Sequence, residues 1–176
     1  KIWIDLIYTM LVFSDIISGD ELFSDGFDPQ LVDDIVYEIA TKQVTKTDSD
    51  DFDIGANPAE GEETEVDVNS VTVNNLVDAH QLMETSFDKK SFQIWIKGYM
   101  KAVKAHLEEN DPDRVKDFMS GAAKMVKKIL GNFKEYQFFT GESMDAEGSI
   151  GFLFYKEDGI TPYFWFFKDG LKSEKV

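Results

Sequence analysis

At 176 residues, 43% of them hydrophobic and 14% aromatic, the chain has the length of one large domain and enough apolar content to bury a core. A net charge of -16 argues against general binding to nucleic acid or anionic membrane, because phosphate contact needs Lys and Arg to displace condensed counterions. The lack of cysteine removes disulfides, thiolate zinc sites and cysteine nucleophiles, and no apolar run reaches the roughly eighteen residues that span a bilayer, so the sequence predicts a soluble chain without membrane insertion.

Charge is unevenly spread. Between Lys89 and Lys134 eleven basic residues stand against five acidic ones, so a basic segment is set on a strongly acidic body. Such an asymmetry points to contact with other macromolecules.

Residues 1–9 are apolar (Ile2, Trp3, Ile4, Leu6, Ile7, Tyr8) and precede the first methionine, Met10. They lack the longer apolar core and small-residue cleavage site of a secretory signal and read as an extension. Residues 10–17 read as a strand closing at Ser18-Gly19-Asp20, and residues 21–27 as a short element turning at Asp25-Gly26. Residues 31–39 alternate well enough to predict one strand, with residues 42–46 as its partner. From Thr47 to Asp88 there is no Lys or Arg but twelve carboxylates, and residues 47–67 predict a flexible acidic loop. An EF-hand does not fit there: with Asp48 as first ligand, Asp53 stands where glycine is required and Ala59 where the bidentate Glu belongs. Residues 66–73 alternate Val with polar residues and predict a strand, a regular region that Leu76, Val77, Leu82 and Met83 extend.

Residues 88–132 predict a helical hairpin. Ser86 is a candidate N-cap, with Asp88 at the positive helix end. Phe92, Trp95, Ile96, Tyr99, Met100, Val103 and Leu107 recur at helical spacing, with Lys90, Lys97, Lys101 and Lys104 opposite. Asp111 then caps a second helix with Pro112 in its first turn, Val115, Phe118, Met119, Ala122, Val126 and Ile129 as its apolar stripe, and Gly131 as its stop. After it, residues 136–140, 149–156 and 161–168 predict strands, the last two joined by a hairpin at Glu157-Asp158-Gly159. The run Phe164 to Phe167 is apolar on both parities and predicts a strand buried on both faces.

No phosphate loop, nucleophile elbow or H-E-x-x-H motif occurs. Ser143 and Ser149 read as turn residues, Trp95 and Tyr99 as core, and His106 as a helix-end residue. His80 and His106 are the only histidines and do not suggest a metal site. The lysine face remains as a contact surface.

Phe133, Phe138-Phe139-Thr140-Gly141-Glu142, Glu147-Gly148, Ile150-Gly151 and Tyr155 together resemble a signature of the translationally controlled tumour protein family. Ile54-Gly55-Ala56-Asn57-Pro58 resembles its other signature, and Leu82 to Phe87, Met119 to Ala123 and Phe167 to Leu171 also read like its members. The likeness begins at Met10 and leaves residues 1–9 outside. It implies an α+β fold: a single domain of mainly antiparallel sheets, a β-tent similar to that of Rab-exchange proteins, with a projecting helical hairpin and a flexible acidic loop. It further implies a non-enzymatic, cytoplasmic protein, open to non-classical secretion as a histamine-releasing factor; the chain is expected to be a monomer. Weak calcium binding is implied, as are association with tubulin and microtubules, contact with apoptosis regulators and support of growth and survival. Acidic tubulin would meet Lys97, Lys101, Lys104, Lys124, Lys127 and Lys128. Glu21, within Gly19-Asp20-Glu21-Leu22-Phe23, matches a glutamate implicated in binding a Rheb-type small GTPase, and Glu142 would lie near it. Two departures stand out. Pro58-Ala59-Glu60 lacks the serine that usually follows the first signature, and Glu174-Lys175-Val176 stands where many members end in cysteine.

Overall fold

The computed structural model describes residues 9–47 and 70–176; the expected acidic loop and the N-terminal extension lie outside these residues apart from Thr47 and Thr9. In chain order the strands are β1 (Leu11–Asp15), β2 (Glu21–Ser24), β3 (Gln30–Val32), β4 (Val36–Ala40), β5 (Gln43–Thr47) and β6 (Ser70–Asn74). A short helix α1 (Asn75–His80) leads to β7 (Met83–Thr85), then to α2 (Lys89–Asn110) and α3 (Val115–Gly131). The chain closes with β8 (Gln137–Thr140), β9 (Gly151–Tyr155), β10 (Pro162–Phe167) and β11 (Leu171–Lys175).

Among the described residues every strand pairing is antiparallel. A six-stranded sheet runs β3-β4-β10-β9-β8-β7, a three-stranded sheet β11-β1-β2, and β5 and β6 form a separate ribbon. β10 lies within the large sheet and, as its composition predicts, is buried on both faces. Trp165 and Phe167 join the core under the helices, where Phe92, Trp95, Tyr99, Phe118 and Phe152 meet them. Phe164 and Phe166 point into a second core with Phe13, Leu22, Phe23 and Ile39. One strand thus divides two hydrophobic clusters, each fully buried aromatic side chain being worth about 1.5–3 kcal/mol.

Several local expectations are corrected. Residues 31–39 form a hairpin, β3 to β4, because Asp33 and Asp34 both adopt the left-handed conformation (φ 53° and 57°) that Asp tolerates better than most residues. The Ile35 amide then donates to the Val32 carbonyl at 3.0 Å. β5 consequently pairs with β6 rather than with residues 31–39. Leu76 and Val77 do not continue a strand: the Asn74 side chain accepts their two amides and starts α1, which Gln81 ends at φ 54°.

Asp88, not Ser86, caps α2. Its carboxylate accepts the Ser91 amide at 2.7 Å while the Ser91 hydroxyl accepts the Asp88 amide at 3.1 Å, a reciprocal capping box. Asp111 makes no side-chain cap; Pro112–Arg114 form a single 3₁₀ turn that feeds α3. The two helices pack together as the expected hairpin, burying Phe92, Trp95, Ile96, Tyr99, Val103 and Leu107 of α2 and Phe118, Ala122, Met125 and Ile129 of α3.

Candidate interaction surfaces

The loop from β8 to β9 ties three elements together through Asp15, which lies at the end of β1 and is 1% exposed. Its carboxylate accepts the Ser149 amide at 2.8 Å and hydroxyl at 3.0 Å, and the Ser18 hydroxyl at 2.7 Å. With the Ser149 hydroxyl proton committed to Asp15, the Tyr99 hydroxyl 3.1 Å away is the donor to Ser149 Oγ. Burial pushes the Tyr99 phenol well above its ordinary range. Trp95 Nε1 donates to the Gly148 carbonyl at 3.1 Å. A Cβ on Gly148 would come within 2.7 Å of the Asp15 carboxylate, so that position has room only for glycine. Ser149 is therefore a buried structural link rather than a reactive hydroxyl.

The same loop sets the position of Glu142. The carboxylate of Asp20 accepts the Ser143 hydroxyl at 2.6 Å and amide at 3.2 Å, and a Cβ on Gly141 would collide with Asp20. This close approach brings Glu21 and Glu142 to one shallow hollow of about 300 Å³, shared with Gly19, Asp20, Ala79, His80 and Gln81. His80 closes α1, half-buried, its ring 5.7 Å from that of Phe27. Burial lowers its pKa from 6.5, partly countered by the charge of Glu21. His80 was not foreseen at this hollow, because nothing in the sequence places α1 beside β2.

Among the described residues no three His, Asp or Glu side chains converge closely enough to hold a metal. Asp20 is moreover already engaged by Ser143. Most carboxylates of the acidic window lie outside the described residues.

The six lysines occupy different settings. Lys97, Lys101 and Lys104 follow one another along the exposed side of α2, and Lys104 lies 3.7 Å from Glu108. Lys124 and Lys128 instead line a hollow of about 540 Å³ with Asp33, Asp34, Arg114 and Asp117, and Lys128 Nζ sits 5.1 Å over the Trp165 ring. Lys127 is exposed on α3.

The residue at the turn of the hairpin that sequence reasoning missed is Arg114. It forms two 3.0 Å bonds to the Asp169 carboxylate, one of 2.7 Å to the Asp34 carboxylate, and a further bond to the Asp34 carbonyl. Lys168 adds a 2.7 Å contact to Asp34. A signal was available, since Arg114 is the only arginine in the chain and arginine is favoured where one planar cation must meet two carboxylates.

The arrangement is that of an α+β domain whose helical hairpin lies on the larger of its antiparallel sheets. A family model described as "Translationally controlled tumour protein" matches residues 10–172, and the chain belongs to that family. A Translationally-controlled tumor protein homolog of Schizosaccharomyces pombe is 56% identical over 167 residues, covering 94% of this chain and 99% of the relative. A homolog of the same description from Candida albicans is 52% identical over 168 residues, covering 95% and 100%. Among solved structures, the Translationally Controlled Tumor-associated Protein of S. pombe superposes with a TM-score of 0.81 at 55% identity, covering 94% of this chain and 99% of that one. The Caenorhabditis elegans protein of the family gives 0.70 at 31% identity, with 94% and 98% covered. Among the described residues, no helix is long and apolar enough to cross a membrane.

Proposed function

We propose that the protein is a non-enzymatic, cytoplasmic interaction protein that binds tubulin and microtubules through the exposed lysine stripe of α2, in a growth or survival role. The observation that carries this reading is the division of α2 into two sides. Its apolar side is consumed by the core, while Lys97, Lys101 and Lys104 stay in water on a body whose net charge is -16. A local basic stripe on an acidic protein steers acidic surfaces to one orientation and repels them elsewhere. Co-sedimentation with microtubules tests it. Lys97→Glu with Lys101→Glu should weaken pelleting on the order of tenfold and flatten its salt dependence. Unchanged pelleting would remove the role.

A second reading rests on Glu21 and Glu142, distant in sequence yet lining one hollow. It makes that surface the contact for a Rheb-type small GTPase, with binding and not catalysis as its output. Glu21→Ala should lower the affinity for such a GTPase by several-fold, about 1 kcal/mol or more for a charged contact at an interface. Equal binding by the variant excludes this site.

A further inference from the structure

The hairpin covers only part of the sheet beneath it. α3 ends at Gly131, and the helix-side rows of β4, β10 and β9 continue through Glu38, Trp165, Tyr163 and Phe154. The uncovered end is a concave surface of about 1010 Å³ with these four residues and Tyr136 in its lining, and with Glu135, Glu157 and Asp158 also around it. Tyr155 and Ile160, 43% and 79% exposed, leave apolar surface at the β9–β10 hairpin beside it.

Two ammonium groups of the chain itself already rest on these rings. Lys128 Nζ is 5.1 Å from the centre of Trp165, and Lys156 Nζ is 4.1 Å from the centre of Tyr163. Lys156 also meets Glu38 Oε1 at 2.5 Å, while Glu38 Oε2 accepts Trp165 Nε1 at 2.9 Å. The Glu38 side chain is only 15% exposed, whereas that of Lys156 is 46% exposed. A carboxylate so covered needs a cation, but the cation it has is on a flexible stem that is nearly half exposed and is therefore exchangeable. A guanidinium suits the position better. It is planar, less strongly hydrated than an ammonium, stacks on an aromatic face and can offer a carboxylate two parallel N–H donors. The carboxylates Glu38, Glu135, Glu157 and Asp158 outnumber the two lysines around the hollow, so its charge favours a basic occupant over an acidic one.

We propose that this hollow docks an arginine-bearing basic segment of a partner protein, with a guanidinium displacing the Lys156 ammonium from Glu38 and the Tyr163 ring. The surface contains neither the α2 lysine stripe nor the hollow of Glu21, so it stands or falls independently of the functions proposed above.

Amide-shift titration of the full chain with a synthetic peptide alternating arginine and glycine, and with its glutamate counterpart, tests the assignment. The arginine peptide should give saturable shifts centred on Tyr155, Lys156, Tyr163 and the Trp165 indole, and the glutamate peptide none. Lys156→Gln should tighten binding several-fold, while Lys172→Gln, which removes the same charge from β11, leaves it unchanged. Glu135→Lys with Glu157→Lys should weaken it by about tenfold or more, and the equivalent reversal of Glu108 and Glu109 on α2 should not. Tyr163→Leu should lose several-fold in affinity at constant charge. Shifts centred elsewhere, no saturation, or equal losses from the two charge reversals would overturn the proposal.

Discussion

Arg114 joins the start of α3 to the β3–β4 turn at Asp34 and to the approach of β11 at Asp169, whose side chains are 57% and 6% exposed. Lysine at this position would keep the charge but could not satisfy both carboxylates, since its donors leave one atom and not a planar fork. Arg114→Lys should therefore lower stability by about 1–3 kcal/mol in urea denaturation, chiefly by leaving the covered Asp169 short of donors. His80 makes a different residue-scale prediction. Its folded pKa lies below the ordinary 6.5 because burial opposes the imidazolium more than Glu21 favours it. As pH falls through 6.5 the unfolded chain takes up a proton that the folded protein resists, so stability declines over that window and is fully retained above it. His80→Gln should reduce the drop in denaturation midpoint between about pH 7 and about pH 5. An unaltered pH profile would rule out this contribution.

The placement of α3 depends on one close approach to the β3–β4 turn. A Cβ on Gly121 would collide with the side chain of Ile35, itself 4% exposed. On propensity alone, alanine in a helix interior gains about 1 kcal/mol over glycine. Overpacking against a buried isoleucine costs about 1–3 kcal/mol and should win, so Gly121→Ala lowers the thermal midpoint. The loss should shrink in an Ile35→Val background, where there is less side chain to displace; equal losses in both backgrounds would show that the contact is not the cause. At this same scale the helix signals in the sequence were largely sound, as were the turns at Gly19 and Gly159, while the turn at Asp33 and Asp34 was missed. The apolar spacing of α2 and α3 identified their buried faces, because packing follows helical period. Residues 31–39 read as one strand because the turn at Asp33 and Asp34 is held from outside, by Arg114 and Lys168 closing on Asp34.

Across the whole molecule β10 is the shared wall, with Phe164 and Phe166 on one side and Trp165 and Phe167 on the other. Truncating it should be felt by both cores. Phe166→Ala is expected to cost about 3–5 kcal/mol, with near-ultraviolet circular dichroism and hydrogen exchange in α2 reporting a single coincident transition. Separate transitions for the hairpin and the β1-β2-β11 sheet would contradict that shared role. By itself the sequence determined the helical hairpin, the two-faced burial of β10 and the turn at Gly159, because each follows from local period, charge or turn chemistry within a few adjacent residues, while the α+β class was implied by the family likeness. The tertiary structure alone decided that His80 joins Glu21 and Glu142 at one hollow, that Lys124 and Lys128 line a hollow with Asp33 and Asp34 while Lys97, Lys101 and Lys104 follow the exposed side of α2, and that Lys156 covers Glu38. Those relations join residues far apart in the chain, and they are set by strand order and by how far α3 reaches across the sheet.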